Sequence, residues 1–151
     1  MREPYAKWLE ENPWLFTSTS GGNEIACRIG RKTLEITQSP ETQAHVHTLI
    51  EIFRQGLADT ASREPFLKGI RQMGLIIALE TDAPQGAIFL MEELYKNGVW
   101  AIVSGLDESV LQFKPGLLLD ESTAYTLLER LETALAAAKI KALTTTAVNM
   151  M

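Results

Sequence analysis

Cysteine is almost absent from this sequence, because Cys27 is the only one in 151 residues. A single cysteine cannot form an internal disulfide, and a reducing compartment such as the cytoplasm is the simpler expectation. Stability therefore has to come from a packed core, which a chain of this length can form without disulfides or a structural metal. One globular domain of ordinary size is expected.

Long apolar runs and an excess of positive charge are also missing. The longest apolar stretch, at residues 75–79, falls far short of the roughly 20 residues that a membrane-spanning helix needs. The start of the chain contains no apolar segment, so no secretory signal is predicted. The net charge is −5 and the acidic residues are dispersed, whereas nucleic acid and anionic membranes attract basic faces. Neither nucleic acid nor a membrane is therefore expected as a partner.

The spacing of apolar residues predicts the helices. A short helix is predicted over residues 4–11, and a second starts near Asn23. A third helix is predicted to start at Ser39, because a serine cap is followed by a proline and an acid. A turn is predicted after it, over residues 59–65. Two more are predicted, one over residues 81–98 and a long last one capped by Asp120.

Short apolar runs between these helices predict four strands. They cover residues 66–73, 75–79, 99–103 and 110–113, with a bend at Gly74. After the short first helix, the order is helix, helix, strand, strand, helix, strand, strand, helix. This order favours an α/β (α+β) domain in which helices cover a small mixed or mostly antiparallel sheet.

Several reactive side chains have ordinary structural explanations. His45 and His47 are two apart on a predicted helix, so they point to different faces and are expected at the surface rather than on a metal. Cys27 is expected to be a small buried core residue, and the adjacent pairs of acids are expected on solvated faces. Three aromatic side chains are expected to pack against the core or against another domain: Trp8, Trp14 and Trp100.

Residues 16–23, 70–80 and 110–117 form three motifs that, taken in order, resemble those of the class III pyridoxal-phosphate-dependent aminotransferases, and of the ornithine and putrescine aminotransferases among them. Residues 16–23, FTSTSGGN, resemble the family's segment of hydroxyl residues, an aromatic, two glycines and asparagine before a helix. Residues 70–80 are similar to its arginine-glycine-x-glycine-leucine strand, and residues 110–117 to the strand that ends in arginine-x-x-proline-proline-leucine. Each motif is moderately specific, and their order makes the resemblance stronger.

The resemblance implies a fold-type I enzyme with pyridoxal 5'-phosphate as cofactor, built as a homodimer. Residues 1–22 would lead from a large cofactor-binding domain and carry a loop that contacts the cofactor phosphate. Residues 23–143 would form the small C-terminal domain, and residues 144–151 a frayed tail. The reaction implied is amino transfer from a small amine or amino acid to a 2-oxo acid.

The resemblance assigns the phosphate contact to Thr19, with Ser18 beside it, acting on the cofactor held by the neighbouring subunit. The residue types agree, because hydroxyls, glycines and free backbone N–H groups before a helix suit a phosphate. The alternative is a plain glycine-rich connection with a helix cap, since such loops are common.

The resemblance also points to what these residues lack. The family's lysine that forms a Schiff base with the cofactor lies upstream of the threonine motif, so no catalytic residue is assigned and this chain alone is expected to be inactive. The alternative function is a non-catalytic binding or assembly module that docks on a full-length aminotransferase. Apolar surface is expected where a large domain would pack.

Three positions depart from the family pattern. Gln112 stands where many relatives carry an arginine that can bind a carboxylate, and glutamine cannot make that charged bidentate contact. This favours an amine-type substrate. Ser20 replaces an aromatic residue, and Gly116 replaces the second proline. Arg71 does match the family and is expected in a structural ion pair, with a pair between domains as the alternative.

Overall fold

The computed structural model describes residues 3–14 and 18–149. The elements follow the predicted order: α1 (Glu3–Glu11), α2 (Glu24–Thr37), α3 (Pro40–Arg63), β1 (Leu67–Met73), β2 (Ile76–Thr81), α4 (Gly86–Lys96), β3 (Ile102–Val103), β4 (Val110–Phe113) and α5 (Glu121–Asn149). The chain separates into two units, one through Ser39 and one from Pro40. The first unit holds α1 and α2, and the second holds the sheet with α3, α4 and α5. Among the described residues, no helix is both long and apolar enough to cross a membrane.

The second unit is built around a four-stranded sheet in the order β1-β2-β4-β3. Every neighbouring pair is antiparallel, which confirms the antiparallel alternative of the sequence prediction. The predicted bend at Gly74 is the turn between β1 and β2, where its φ of 63° requires a residue without a side chain. The turn sets the register in which Arg71 lies opposite Ala78.

One face of the sheet forms the core because alternate strand residues point to the same side. Ile77, Leu79 and Leu111 are buried on that face beneath α3 and α4, and α5 packs against both helices. The rings of Phe53 on α3 and Phe113 on β4 meet edge to face, with centroids 5.7 Å apart. The opposite face of the sheet carries no helix of this unit, so its side chains are available for other contacts.

Two helices run further than predicted. The turn expected over residues 59–65 begins late, because α3 continues to Arg63. The Thr60 hydroxyl bonds the Gly56 carbonyl and Glu132 on α5, and Arg63 pairs with the same Glu132, which holds the last turn of α3 against α5. The prediction that a frayed tail starts at residue 144 is wrong, because α5 extends through Asn149.

One strand and one helix start differ from their predictions. The strand predicted over residues 99–103 is reduced to Ile102 and Val103, because the Val99 N–H bonds the Leu94 carbonyl and so continues the end of α4 rather than the sheet. The helix predicted from residue 81 begins at Gly86, since Thr81 still belongs to β2 and its hydroxyl donates to the Ser109 carbonyl.

The N-terminus of α5 is capped by Asp120, as predicted. Its carboxylate accepts from the Thr123 backbone N–H at 2.8 Å and from the Ser122 hydroxyl at 2.6 Å. The bond from the Ser122 hydroxyl is the largest cause, and together these bonds lower the pKa of Asp120 to about 2. The carboxylate is therefore the form that holds the first turn of the longest helix.

We expect Asp120→Ala to lower the melting temperature of the 151-residue chain by roughly a few degrees at pH 7, because α5 loses its cap. Asp120→Asn retains an acceptor and should lose less. The pKa is lower in the folded chain, so the charge stabilises above about pH 4 and that contribution disappears as the pH falls toward 2. Thermal melts followed by circular dichroism at pH 7 and pH 2.5 measure the loss of melting temperature at each pH. Equal losses for the alanine variant at both values would contradict the assignment.

A buried carboxylate joins α4 to α5. Glu93 is 8% exposed, and its Oε1 atom accepts from the Lys141 and Lys96 amines, each at 2.7 Å. Lys141 also donates to Glu92 at 2.8 Å. The bond from Lys141, followed by that from Lys96, lowers the pKa of Glu93. A carboxylate this buried is tolerated because two ammonium groups compensate for its lost hydration.

We expect Glu93→Gln to flatten the loss of stability on acidification. A lowered folded-state pKa means that the Glu93 charge stabilises above its unfolded pKa of about 4.3 and that this contribution is lost as the pH falls below it. Melting temperatures between pH 6 and pH 3 should therefore fall less steeply in Glu93→Gln than in the parent. Glu92→Gln removes an exposed carboxylate that pairs with the same Lys141, so it is the control for the loss of a carboxylate near that lysine. Parallel slopes for Glu93→Gln and the parent would refute the prediction.

Candidate functional site

The loop that was predicted to contact a phosphate is a pair of tight turns. The Gly21 N–H bonds the Ser18 carbonyl at 3.3 Å, and the Asn23 N–H bonds the Ser20 carbonyl at 3.2 Å. Gly22 has a φ of 76°, which a residue with a side chain adopts only with strain. A Cβ on Gly21 would lie 3.1 Å from the Cβ of Ser18, so this position is also tight. The two glycines therefore allow the loop to fold back on itself.

The loop leads directly into α2. The Asn23 side chain caps the helix by accepting from the Ala26 N–H at 3.0 Å, and the Cys27 N–H closes the first turn on the Asn23 carbonyl. Glu24 is the acid of this turn, and Arg28 pairs with it at 2.6 Å. The pair offsets a negative charge that would otherwise oppose an anion at the positive end of the helix dipole.

The side chains of Ser18 and Thr19 are both exposed. Within residues 3–14 and 18–149, neither hydroxyl takes part in a hydrogen bond, so both remain available as donors. A Cβ built on Gly22 would meet nothing within 4 Å, which leaves open space beside the loop. Two free hydroxyls, a side-chain-free turn and a helix N-terminus fit a phosphate group. Phe16 and Thr17, the start of the same motif, lie outside the described residues.

A second polar site lies on the open face of the sheet. Arg71, Ala78 and Gln112 are direct neighbours across β1, β2 and β4, so their side chains share that face. The Lys114 amine donates to Gln112 Oε1 at 2.8 Å. The amide of Gln112 is therefore oriented with its oxygen toward a lysine, and its NH₂ group remains as a donor.

The predicted structural ion pair of Arg71 is confirmed, and its partner is Glu80 at 3.2 Å. Both residues belong to the β1–β2 hairpin, so this pair lies within the sheet, and a contact of Arg71 with another domain stays a prediction. The small side chain of Ala78 leaves a shallow groove of about 400 Å³ between Arg71 and Gln112. Met73 and Ile76 line one part of it, so the groove offers polar groups beside an apolar floor.

His47 lies at the surface as predicted, whereas His45 and Cys27 differ from their predictions. His47 is exposed, while His45 is half-buried with its Nε2 atom 2.8 Å from the Leu119 carbonyl. The described part of the chain contains no group of acids, histidines and cysteine that could hold a metal ion. Cys27 was expected in the core, but it is exposed because α2 buries none of its residues in this structure.

The tryptophans do not contribute to the core. Trp14 and Trp100 are 87% and 79% exposed, and Trp8 is about half exposed. Trp100 meets Tyr95 edge to face at 5.9 Å. Exposed apolar side chains were expected, and α2 carries a series of them: Ile25, Ile29, Leu34 and Ile36. Whether another domain covers them stays a prediction.

A family model described as aminotransferase class-III matches residues 3–135, which is most of the chain. The chain belongs to this family. Class III membership implies dependence on pyridoxal phosphate. The match includes the Ser18–Thr19 loop, the β1–β2 hairpin and β4, in the order that the sequence motifs indicated.

Individual relatives agree with the family assignment. The chain is 37% identical over 122 residues to an acetylornithine aminotransferase from Neisseria meningitidis serogroup A, which covers 80% of this chain and 30% of that protein. It is 30% identical over 130 residues to an uncharacterized aminotransferase from Archaeoglobus fulgidus, covering 86% and 31%. This class III chain therefore spans about 30% of the length of these curated relatives.

Solved structures of the family share the fold. The N-acetylornithine aminotransferase of Stenotrophomonas maltophilia superposes with a TM-score of 0.70 and 27% identity, covering 78% of this chain and 32% of that one. An Arthrobacter phospholyase solved with phosphoethanolamine gives a TM-score of 0.73 and 26% identity, covering 87% and 34%. These neighbours include more than one reaction, so the fold by itself does not identify the substrate.

Two residues of the open sheet face of this aminotransferase chain were missed by the sequence analysis. Lys114 was not assigned a role; it directly follows β4, and its spacing of two from Gln112 is the signal that places both side chains on one face. Glu80 was not assigned a role, and the two-residue turn after Met73 is the signal that brings it near Arg71.

Proposed function

We propose that these residues are the C-terminal part of an aminotransferase that moves an amino group from a small amine or amino acid to a 2-oxo acid. The observation that carries the proposal is the class III match over residues 3–135, with its motifs in order. The proposed division assigns residues 1–22 to the segment from a large cofactor domain, residues 23–143 to the small domain and residues 144–151 to a terminal segment.

Thr19, with Ser18, is the proposed contact to the phosphate of pyridoxal phosphate. The support is local: both hydroxyls are exposed, the glycine turn leaves space beside them, and α2 begins four residues after Ser20 at its positive end. When bound, the cofactor supplies the electron sink for amino transfer. The hydroxyls would fix the position of its phosphate and thereby orient its ring.

The proposed assembly is a homodimer in the cytoplasm, in which the loop of one subunit serves the cofactor held by the other. The small domain would pack beside the large pyridoxal-phosphate domain of the same enzyme. The single cysteine is consistent with a reducing compartment.

The substrate class is proposed from the open face of the sheet. Relatives named acetylornithine and succinylornithine aminotransferases suggest a donor with a terminal or side-chain amine. Gln112 lacks the charge for a bidentate carboxylate contact, which favours an amine-type substrate without a carboxylate at that position. The neighbouring Lys114 amine does not replace the arginine, because it is a point charge rather than a planar fork.

The test compares two proteins: the 151-residue chain and the polypeptide encoded by the whole reading frame that contains it. Both are purified, mixed with pyridoxal phosphate and assayed with putrescine, ornithine and N-acetylornithine as donors and 2-oxoglutarate as acceptor. We expect amino transfer and the absorbance of a lysine-bound cofactor in the whole product. The 151-residue chain alone should show neither, because the proposal places the cofactor lysine outside these residues.

Each result bears on a different part of the proposal. A lysine-bound cofactor spectrum in the 151-residue chain, with the cofactor found on one of its lysines after borohydride reduces the imine to a stable amine, would overturn the division of roles. No amino transfer by a whole product that does bind the cofactor would overturn the reaction proposed. A reading frame without a cofactor domain would overturn the assignment as part of one enzyme chain.

A further inference from the structure

We draw no further inference here: the strongest candidate, the apolar cavity of about 260 Å³ lined by Tyr95 and Trp100 between α4 and the segment that leads into the edge strand β3, carries nothing because nothing in the structure shows what covers it.

Discussion

Thr19→Ala is expected to weaken the binding of pyridoxal phosphate by roughly 10- to 100-fold in the product of the whole reading frame. The exposed Thr19 hydroxyl is the proposed donor to a charged phosphate oxygen. Hydrogen bonds to charged groups contribute about 1.5–3 kcal/mol, and about 1.4 kcal/mol corresponds to a tenfold change in affinity. Titration of the apoenzyme with the cofactor, followed by absorbance, gives the dissociation constant.

Two variants make this measurement specific to the hydroxyl. Thr19→Ser keeps the donor and should retain most of the affinity. Ser20→Ala is the matched control, because Ser20 is exposed in the same loop and its recorded contact to Asn23 uses the backbone carbonyl. Melting temperatures of all variants should stay near that of the parent. Unchanged cofactor affinity in Thr19→Ala would show that the phosphate role is wrong, even if amino transfer by the parent enzyme is observed.

Gly86→Ala is expected to destabilise the 151-residue chain by about 2–4 kcal/mol. A Cβ at this position would lie 2.2 Å from the Thr81 hydroxyl oxygen and 2.7 Å from the Thr81 Cβ. Thr81 is buried, and its hydroxyl donates to the Ser109 carbonyl at 2.9 Å. The added methyl group therefore forces α4 away from β2 or breaks a buried hydrogen bond. Overpacking and a lost buried bond each cost about 1–3 kcal/mol.

Gly116→Ala provides the matched control in the same unit. A Cβ there would meet nothing within 4 Å, and the backbone of Gly116 is not in the left-handed region. Its effect should stay within about 0.5 kcal/mol of zero. Urea unfolding followed by circular dichroism gives both values. Equal stabilities for Gly86→Ala and Gly116→Ala would show that α4 can shift freely, contrary to the close packing described.

The elements of the second unit could be predicted because their signals are local. Asp120 at a helix cap, Gly74 at a hairpin turn and the apolar run of β4 act within a few residues, and the structure has each in place. The end of α3 was predicted wrongly because it depends on a distant partner. α3 extends to Arg63 because Glu132, far along the chain, holds its last turn.

Only part of the candidate site could be predicted from the sequence. The family motif selected Ser18 and Thr19, and the turn geometry around them fits that choice. The role of Glu80 was missed because its pair with Arg71 follows from the register of β1 and β2 rather than from residue type. The role of Lys114 was missed although its spacing of two from Gln112 is a local signal. Cys27 was expected to be buried because small apolar residues on a patterned helix usually are. Burial depends on what packs against the helix, and in this structure α2 buries none of its residues.

The sequence by itself determined the family, the order of helices and strands, and the residues of the loop that is proposed to contact a phosphate. Those properties depend on residue types and short spacings, which the chain carries wherever it folds. Only the tertiary structure decided that Arg71 pairs with Glu80, that Arg63 pairs with Glu132, and which apolar side chains remain exposed. Pairing across strands and burial against other elements join residues that are distant in sequence, so local patterns do not encode them.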